Sequence, residues 1–421
     1  MQDEAQVSGL VEHLFRESSG KIIAALTASF GLRNLELIED AVQEALLKAL
    51  RVWSYGDVPD NPGAWLMQVA RNHALDQLRR GARWREKEEA IAHEQAATEA
   101  PAAMFSDDEI RDDLLRMIFG CCHPAIARES QVAVTLKIVC GFSVGEIARA
   151  FLIPPETVAK RLTRAKEKLR SCVPFEVPAG DELTARLDAV LEVLYLLFNE
   201  GYNASQGEEL IRRDICDEAI RLATLLSEHS AGDTPKTHAL LALFLFQRAR
   251  FDARMNTSGE ILLLAEQDRS AWNHAMITRG MWHLGRARAG KSLSEFHLQA
   301  GIAACHSAAP TYEATDWKSI LFFYDLLLEL NPSPVVALNR AVAVSKVHGA
   351  EAALAIVEEL PRSSNLANYY LLHAVRGELQ QAIGDTVGAR ESFGAALGLT
   401  NVSAEQQFLR RRLAALSPEN S

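Results

Sequence analysis

The chain has 421 residues, 48% of them hydrophobic and spread throughout, enough for two or three domains with their own cores. A net charge of −11 excludes a protein that coats nucleic acid with its whole surface, although it leaves room for local basic patches. The charge is uneven: Ala64 to Lys87 holds six Arg/Lys against two Asp/Glu and Lys137 to Cys172 eight against three, while Glu86 to Asp113 holds ten acids and two bases.

The N-terminal stretch MQDEAQVSGLVEHLF is acidic and amphipathic, with no basic n-region and no long apolar core, so no signal peptide is expected. No run anywhere approaches the ~20 apolar residues that span a bilayer, and a cytoplasmic protein is expected. Residues 7–30 read as one amphipathic helix or a helix pair, with Val7, Leu10, Val11, Leu14 and Phe15 on one side and Gly31 at the end. The next helix, Leu35 to Trp53, buries Ile38, Val42, Ala45, Ala49 and Trp53 at helical spacing. Asp40, Gln43, Glu44 and Leu47 lie on another face, which by itself reads as an ordinary wet surface with one tolerated apolar residue.

Ser54 to Gly63 is dense in Gly, Pro, Asn and Asp and reads as a loop. It leads to a third helix in which Trp65, Leu66, Val69, Leu75 and Leu78 are apolar, while Arg71, Asn72, Asp76, Arg79 and Arg80 are polar. Trp65 and Trp84 either sit in the core or stack splayed bases beside these arginines. Residues 86–110, rich in Ala and Glu with weak apolar periodicity, read as a linker. Order resumes near Ile110, with Leu114, Leu115, Ile118 and Phe119, then Val132 to Val139. The six cysteines show no CxxC spacing, which points to reduced thiols. Cys121-Cys122-His123 lacks zinc-ligand spacing and reads as core packing, so no metal is expected.

Phe142 to Arg170 reads as a helix-turn-helix. Ser143 and Glu146 have capping-box spacing, Ile147, Ala148 and Phe151 face inward, and Leu152-Ile153-Pro154 makes the turn. Pro155 suits the first turn of a second helix whose buried stripe is Val158, Leu162, Ala165 and Leu169. The opposite face carries Thr157, Lys160, Arg161, Arg164 and Lys168, donors suited to phosphates and guanine edges in a major groove; a merely solvated basic face is the alternative.

After a boundary at Val173 to Gly180 the chain reads as almost entirely helical, an α-solenoid. Val335 to Leu360 and Tyr369 to Leu399 align at a period of about 35 residues, with Gly349 against Gly384, as in tetratricopeptide-like helix pairs. Asn199-Glu200-Gly201 and Gln267-Asp268-Arg269 could bind a ligand or line an interface, and the interface is the favoured reading. His238, His274, His283, His297 and His306 pair with no nucleophile or metal set at recognisable spacing.

Residues 7–172 resemble an extracytoplasmic-function (ECF) RNA polymerase sigma factor. Asp40-Ala-Val-Gln43-Glu44-Ala-Leu-Leu47 is similar to the family's region 2.2, Trp65 through Arg80 looks like region 2.4, and the helix-turn-helix matches region 4.2. The C-terminal part resembles the extension of a subgroup, through Phe119-Gly-Cys121-Cys122-His123-Pro124, Tyr195-Leu-Leu-Phe198-Asn199-Glu200-Gly201-Tyr202, Gln267 to Trp272, Thr315-Asp316-Trp317 and Ser333 to Ala341. The resemblance implies that Asp40, Gln43, Glu44 and Leu47 dock on the β′ clamp helices of core RNA polymerase, whose β flap is a further partner. It implies that Asn61, Trp65, Arg71, Asn72, Arg79 and Arg80 engage the melted minus-10 element. Thr157, Lys160, Arg161, Arg164 and Lys168 would approach the minus-35 duplex, and the acidic linker would follow the polymerase's basic RNA-exit path.

The expectation is an all-α protein: sigma region 2 over 1–85, an acidic linker over 86–109, a region 4 helix-turn-helix over 110–173 and a tetratricopeptide-like regulatory extension over 181–421, with a regulatory protein or ligand as its possible partner. The resemblance implies a transcription initiation factor, and no catalytic residues or cofactor are expected. The alternative is a polymerase-independent helix-turn-helix regulator with a sensor domain, for which the Asp40, Gln43 and Glu44 surface has no use.

Overall fold

A computed structural model describes residues 4–55, 57–88, 112–151, 153–172, 181–202, 212–256, 261–290, 292–363 and 365–416. Among the described residues every regular element is a helix; the one strand-like feature is an isolated bridge between Met255 and Ile261. The chain divides into two compact units, residues 1–197 with 229–232, and residues 198–228 with 233–421.

In unit 1 the N-terminal region is a single helix, α1 (Glu4–Phe30), followed by α2 (Leu35–Trp53) and α3 (Pro62–Glu88). The stripe read from the sequence on α2 is buried in full: Ile38, Val42, Ala45, Ala49 and Trp53. Asn61 caps α3, its Oδ1 accepting the Ala64 N–H at 3.0 Å, and Pro62 occupies the first position, where its missing N–H costs nothing. The apolar residues of α3 are buried unequally. Leu66, Ala70 and Ala74 are buried, whereas Val69, Leu75 and Leu78 are only half-buried. The alanines let α3 lie close against α1 and α2, and the larger side chains flank that seam.

A second group follows: α4 (Asp113–Cys121), α5 (Arg128–Ile138), α6 (Val144–Ala150) and α7 (Pro155–Cys172). The expected capping box starts α6, with Ser143 Oγ accepting the Glu146 N–H and Glu146 accepting the Ser143 N–H. Val158, Leu162, Ala165 and Leu169 bury α7 against α5 and α6.

The two groups are packed together within unit 1. α1 lies against α4, and Gly20 of α1 abuts the end of α5 so closely that a Cβ there would stand 1.8 Å from the Val139 carbonyl oxygen. Lys166 of α7 donates to both carboxylate oxygens of Glu39 on α2, at 2.8 and 2.9 Å. Arg170 makes a two-point contact with Glu36 at 2.8 Å. α8 (Asp181–Tyr202) joins the unit as far as Leu197, so the unit boundary falls inside this helix.

Unit 2 holds the end of α8 and α9 (Arg213–Glu228), α10 (Pro235–Arg248), α11 (His274–Ala287), α12 (Glu295–Ala308), α13 (Trp317–Leu330), α14 (Pro334–His348), α15 (Ala350–Ser363), α16 (Tyr370–Ala382), α17 (Thr386–Leu399) and α18 (Ser403–Ala415). From α9 to α18 each helix packs on the next. α14/α15 and α16/α17 are the two sequence repeats. Gly349 and Gly384 turn the chain between the members of each pair at φ of 95° and 86°, a region that disfavours any residue with a Cβ.

Candidate nucleic-acid and polymerase interface

The polar set on α2 forms one exposed surface. Asp40, Gln43, Glu44 and Leu47 are all exposed, at i, i+3, i+4 and i+7, and Leu47 is 43% accessible. The acids Glu36 and Glu39 on the same helix are the ones engaged by α7. The surface thus offers two carboxylates, an amide and one apolar side chain beside an internal ion-pair zone.

On α3 the exposed face carries Arg71, Asn72, Arg79 and Arg80. Asn72 accepts a hydrogen bond from Gln68 at 3.1 Å, which fixes the amide along the helix. Asn61 is exposed, and its carbonyl oxygen is committed to the cap. Trp65 is half-buried against Trp53, with ring centroids 5.2 Å apart, so it is partly core and partly surface. The side chain of Trp84 and residues 89–109 of the acidic linker read over 86–109 lie outside the described residues, while its first three residues continue α3 to Glu88. Sequence reading passed over Tyr55, which is 92% accessible in the loop that leads to α3. An aromatic residue inside a Gly/Pro-rich loop was the available signal.

On α7, Lys160, Arg164 and Lys168 are exposed, while Thr157 and Arg161 are half-buried. Arg161 is ion-paired to Glu129 of α5. It therefore fastens α7 to the domain, and the outward charge comes mainly from the three exposed cations.

The Cys121-Cys122-His123 segment has a structural task. Both thiols are buried free cysteines; burial pushes Cys122 up to about 12 and Cys121 higher still, so neither is a reactive thiolate at neutral pH. His123 Nδ1 accepts the Ala125 N–H at 3.1 Å and its carbonyl accepts from Gln131, closing the turn into α5. The Phe119 carbonyl receives Nη1 of the buried Arg186 from α8 at 3.1 Å, and Arg128 holds Glu192 of α8 by two contacts at 2.8 and 3.1 Å. The motif is the seat of α8 on the second helical group.

In unit 2 the polar motifs are internal fittings. Gly201 is buried, and a Cβ there would meet Cys216 Sγ at 2.7 Å. Arg269 donates to the carbonyls of His306 and Ala309 at 2.6 and 2.7 Å and lies over the Trp272 ring.

Comparison with known proteins decides the family. The Sigma-70 region 2 profile matches residues 15–85 and the Sigma-70 region 4 profile residues 116–169. SigL of Mycobacterium tuberculosis, an ECF RNA polymerase sigma factor, is 32% identical over 136 residues, 31% of this chain and 72% of SigL. The chain belongs to the ECF RNA polymerase sigma factor family.

In this sigma factor α1–α3 are region 2 and α4–α7 region 4, elements that support interaction with core RNA polymerase and promoter DNA; the family is not enzymatic. The extension has its own relatives: residues 186–288 match DUF6596, a family of unknown function. The uncharacterized protein R00370 of Rhizobium meliloti (strain 1021) is 40% identical over 394 residues, 92% of each chain. The crystal structure of yeast Tom70 aligns with 99% of the sigma factor and 89% of its own chain, at TM-score 0.35 and 12% identity. No described helix is long and apolar enough to cross a membrane.

Proposed function

We propose that this sigma factor docks on the β′ clamp helices of core polymerase through Asp40, Gln43, Glu44 and Leu47, and on the β flap through region 4. Asn61, Trp65, Arg71, Asn72, Arg79 and Arg80 then hold the melted minus-10 strand, with Tyr55 available to stack on a splayed base. Thr157, Lys160, Arg161, Arg164 and Lys168 serve the minus-35 duplex, Arg161 by holding α7 in position. The cytoplasm, where promoters and core polymerase meet, is its place of action. The observation that carries the docking assignment is the exposed acid, amide and Leu47 face on a helix whose opposite stripe is buried.

The packed unit 1 is the free state on this reading. Minus-10 and minus-35 elements stand some twenty-five base pairs apart by their names, roughly 80 Å along B-DNA. A compact body of about 200 residues is only ~40 Å across, so regions 2 and 4 part when polymerase presents both elements. The extension regulates that event. Support for this comes from Arg186 and Glu192 of α8, which hold region 4 directly.

Run-off transcription with purified core polymerase tests the assignment. Asp40→Lys with Glu44→Lys should weaken core binding about tenfold or more while the melting temperature stays within a degree or two, since both side chains are exposed. Unchanged affinity would remove the docking face. Absence of initiation by the parent chain, with tight duplex binding in the absence of core, would favour the polymerase-independent regulator.

A further inference from the structure

A cavity of about 580 Å³ opens within unit 2, a size typical of pockets that hold small organic molecules. Its walls are mainly apolar: Leu263, Trp317, Ile320, Val342, Val375 and Leu379. They come from α13, α14, α16 and the segment after Ile261, which Arg411 of α18 secures through the Ile261 carbonyl at 3.2 Å and Glu266 at 3.5 Å.

Two polar atoms in this apolar wall are buried without a hydrogen-bond partner, His306 Nδ1 and Glu378 Oε1. Native interiors pair nearly all such atoms, so an orphan carboxylate oxygen and an orphan imidazole nitrogen in one cavity point to an absent partner. The other oxygen of Glu378 is held by Arg412 Nη2, which also bonds Gln381 at 2.8 Å; Arg412 Nε is itself buried without a partner and does not reach Oε1, which is left open. A carboxylate accepts and has nothing to donate, so the partner it calls for is a donor. His306 is pressed edge-on against Trp317, with centroids 5.3 Å apart. Burial and the nearby Arg250 and Arg269 keep its ring neutral, so it adds no attraction for an anion. Lys346, exposed with Nζ 5.5 Å over the Tyr312 ring, is the cavity's own cation and lies at the rim.

We propose that this cavity is a binding site for a small apolar amine, whose nitrogen donates to Glu378 Oε1 while its hydrocarbon body lies between Leu263, Trp317 and Val342. Recognition needs neither polymerase nor DNA, so this site and the sigma assignment stand or fall separately.

The test uses the purified full chain and the fluorescent reporter N-phenyl-1-naphthylamine, an uncharged aromatic amine that brightens in apolar surroundings. Octylamine should displace it at a concentration about tenfold lower than octanoate, which has the same chain with the opposite charge. Val342→Trp fills the cavity and should weaken reporter binding about tenfold or more. Glu378→Gln should keep reporter binding but bring the amine-to-carboxylate ratio toward one. Because Glu378 also anchors Arg412, Ala382→Trp, at an exposed wall position, provides a filling variant that leaves that pair intact. Equal displacement by octanoate, or reporter binding undiminished in both filling variants with native helicity, would overturn the proposal; the latter would place the reporter elsewhere on the surface.

Discussion

Gly20→Ala separates helix propensity from packing in unit 1. Inside a helix Ala is preferred to Gly by ~1 kcal/mol, so α1 considered alone predicts a gain in stability. The surroundings predict the reverse. A Cβ at this site would stand 1.8 Å from the Val139 carbonyl oxygen, whereas carbon and carbonyl oxygen approach no closer than about 3.3 Å. Both partners are backbone, so no rotamer change relieves the clash; overpacking of this kind costs ~1–3 kcal/mol or more. The cheapest relief is for region 4 to move off α1. A net loss of ~2 kcal/mol from the packed state raises the open population roughly thirtyfold. If core polymerase engages only the open state, apparent core affinity rises by up to the same factor. Hydrogen exchange across α5–α7 and fluorescence-anisotropy titration with core report the two quantities. A variant that melts higher, exchanges as the parent does and binds core equally well would show that Ala acts through propensity alone, and the proposed parting of regions 2 and 4 would lose its support.

The remaining expectations are more local. Lys166→Met, cycled with Glu39→Gln, should show a coupling of ~1–2 kcal/mol in thermal unfolding, because the two side chains are only 24% and 14% exposed; a coupling near zero would refute the contact. The Arg170–Glu36 pair, 44% and 51% exposed, should contribute under ~1 kcal/mol and fade by 1 M salt. Arg186→Met leaves the Phe119 carbonyl without its buried donor and should cost ~1.5–3 kcal/mol, with faster hydrogen exchange in the first turns of α8; unchanged exchange would refute the anchoring role. His283 and His306 are held down to about 4, by burial first and then by neighbouring positive groups, against ~6.5 in the unfolded chain. The unfolded chain therefore takes up protons that the folded one refuses, so this stability is present above about pH 6.5 and lost as pH falls toward 4. The melting temperature of unit 2 should be lower at pH 5 than at pH 7.5; equal values would refute the burial of these rings.

What the sequence disclosed was local chemistry. Ser143 and Glu146 lie three positions apart and cap one helix, and the 3.6-residue stripes of α2 and α7 concern one helix face each, so both were legible. The tight seam of α3 was not legible, because Leu75 and Leu78 outrank Ala70 and Ala74 in hydrophobicity, while close helix approach rewards small size. The face of Asp40, Gln43, Glu44 and Leu47 was legible both as a set and as a wet surface, because the four positions share one side of a single helix. Long-range contacts leave no periodic trace. Lys166 meets Glu39 across 127 positions and Arg170 meets Glu36 across 134, and nothing in either neighbourhood announces the other. Gly20 reads as a weak point in a helix until the carbonyl of Val139 is seen beside it. Cys121-Cys122-His123 read correctly as core, yet its partner, Arg186, lies 67 positions from the carbonyl it holds.

These contacts differ in kind, and the difference bears on how the extension would act under the proposed regulation. Region 4 is held to region 2 by the packing of α1 on α4 and of α7 on the Leu32–Asn34 turn, by the Gly20 close approach, and by two ion pairs, one of them largely exposed. It is held to α8 by a buried guanidinium on a backbone carbonyl and a two-point Arg128–Glu192 contact. Separating a buried, hydrogen-bonded charge from its acceptor strands both groups, whereas exposed pairs exchange each other for water at little cost. On the proposed reading, in which regions 2 and 4 part on polymerase, α8 stays on region 4 through Arg186 and the Arg128–Glu192 pair. If the extension regulates the sigma factor as proposed, α8 is the element through which to test it, because its Arg186 and Glu192 bind the Phe119 carbonyl and Arg128 of region 4. Arg186→Met should then change core-dependent initiation while leaving the Asp40, Gln43, Glu44 and Leu47 face untouched.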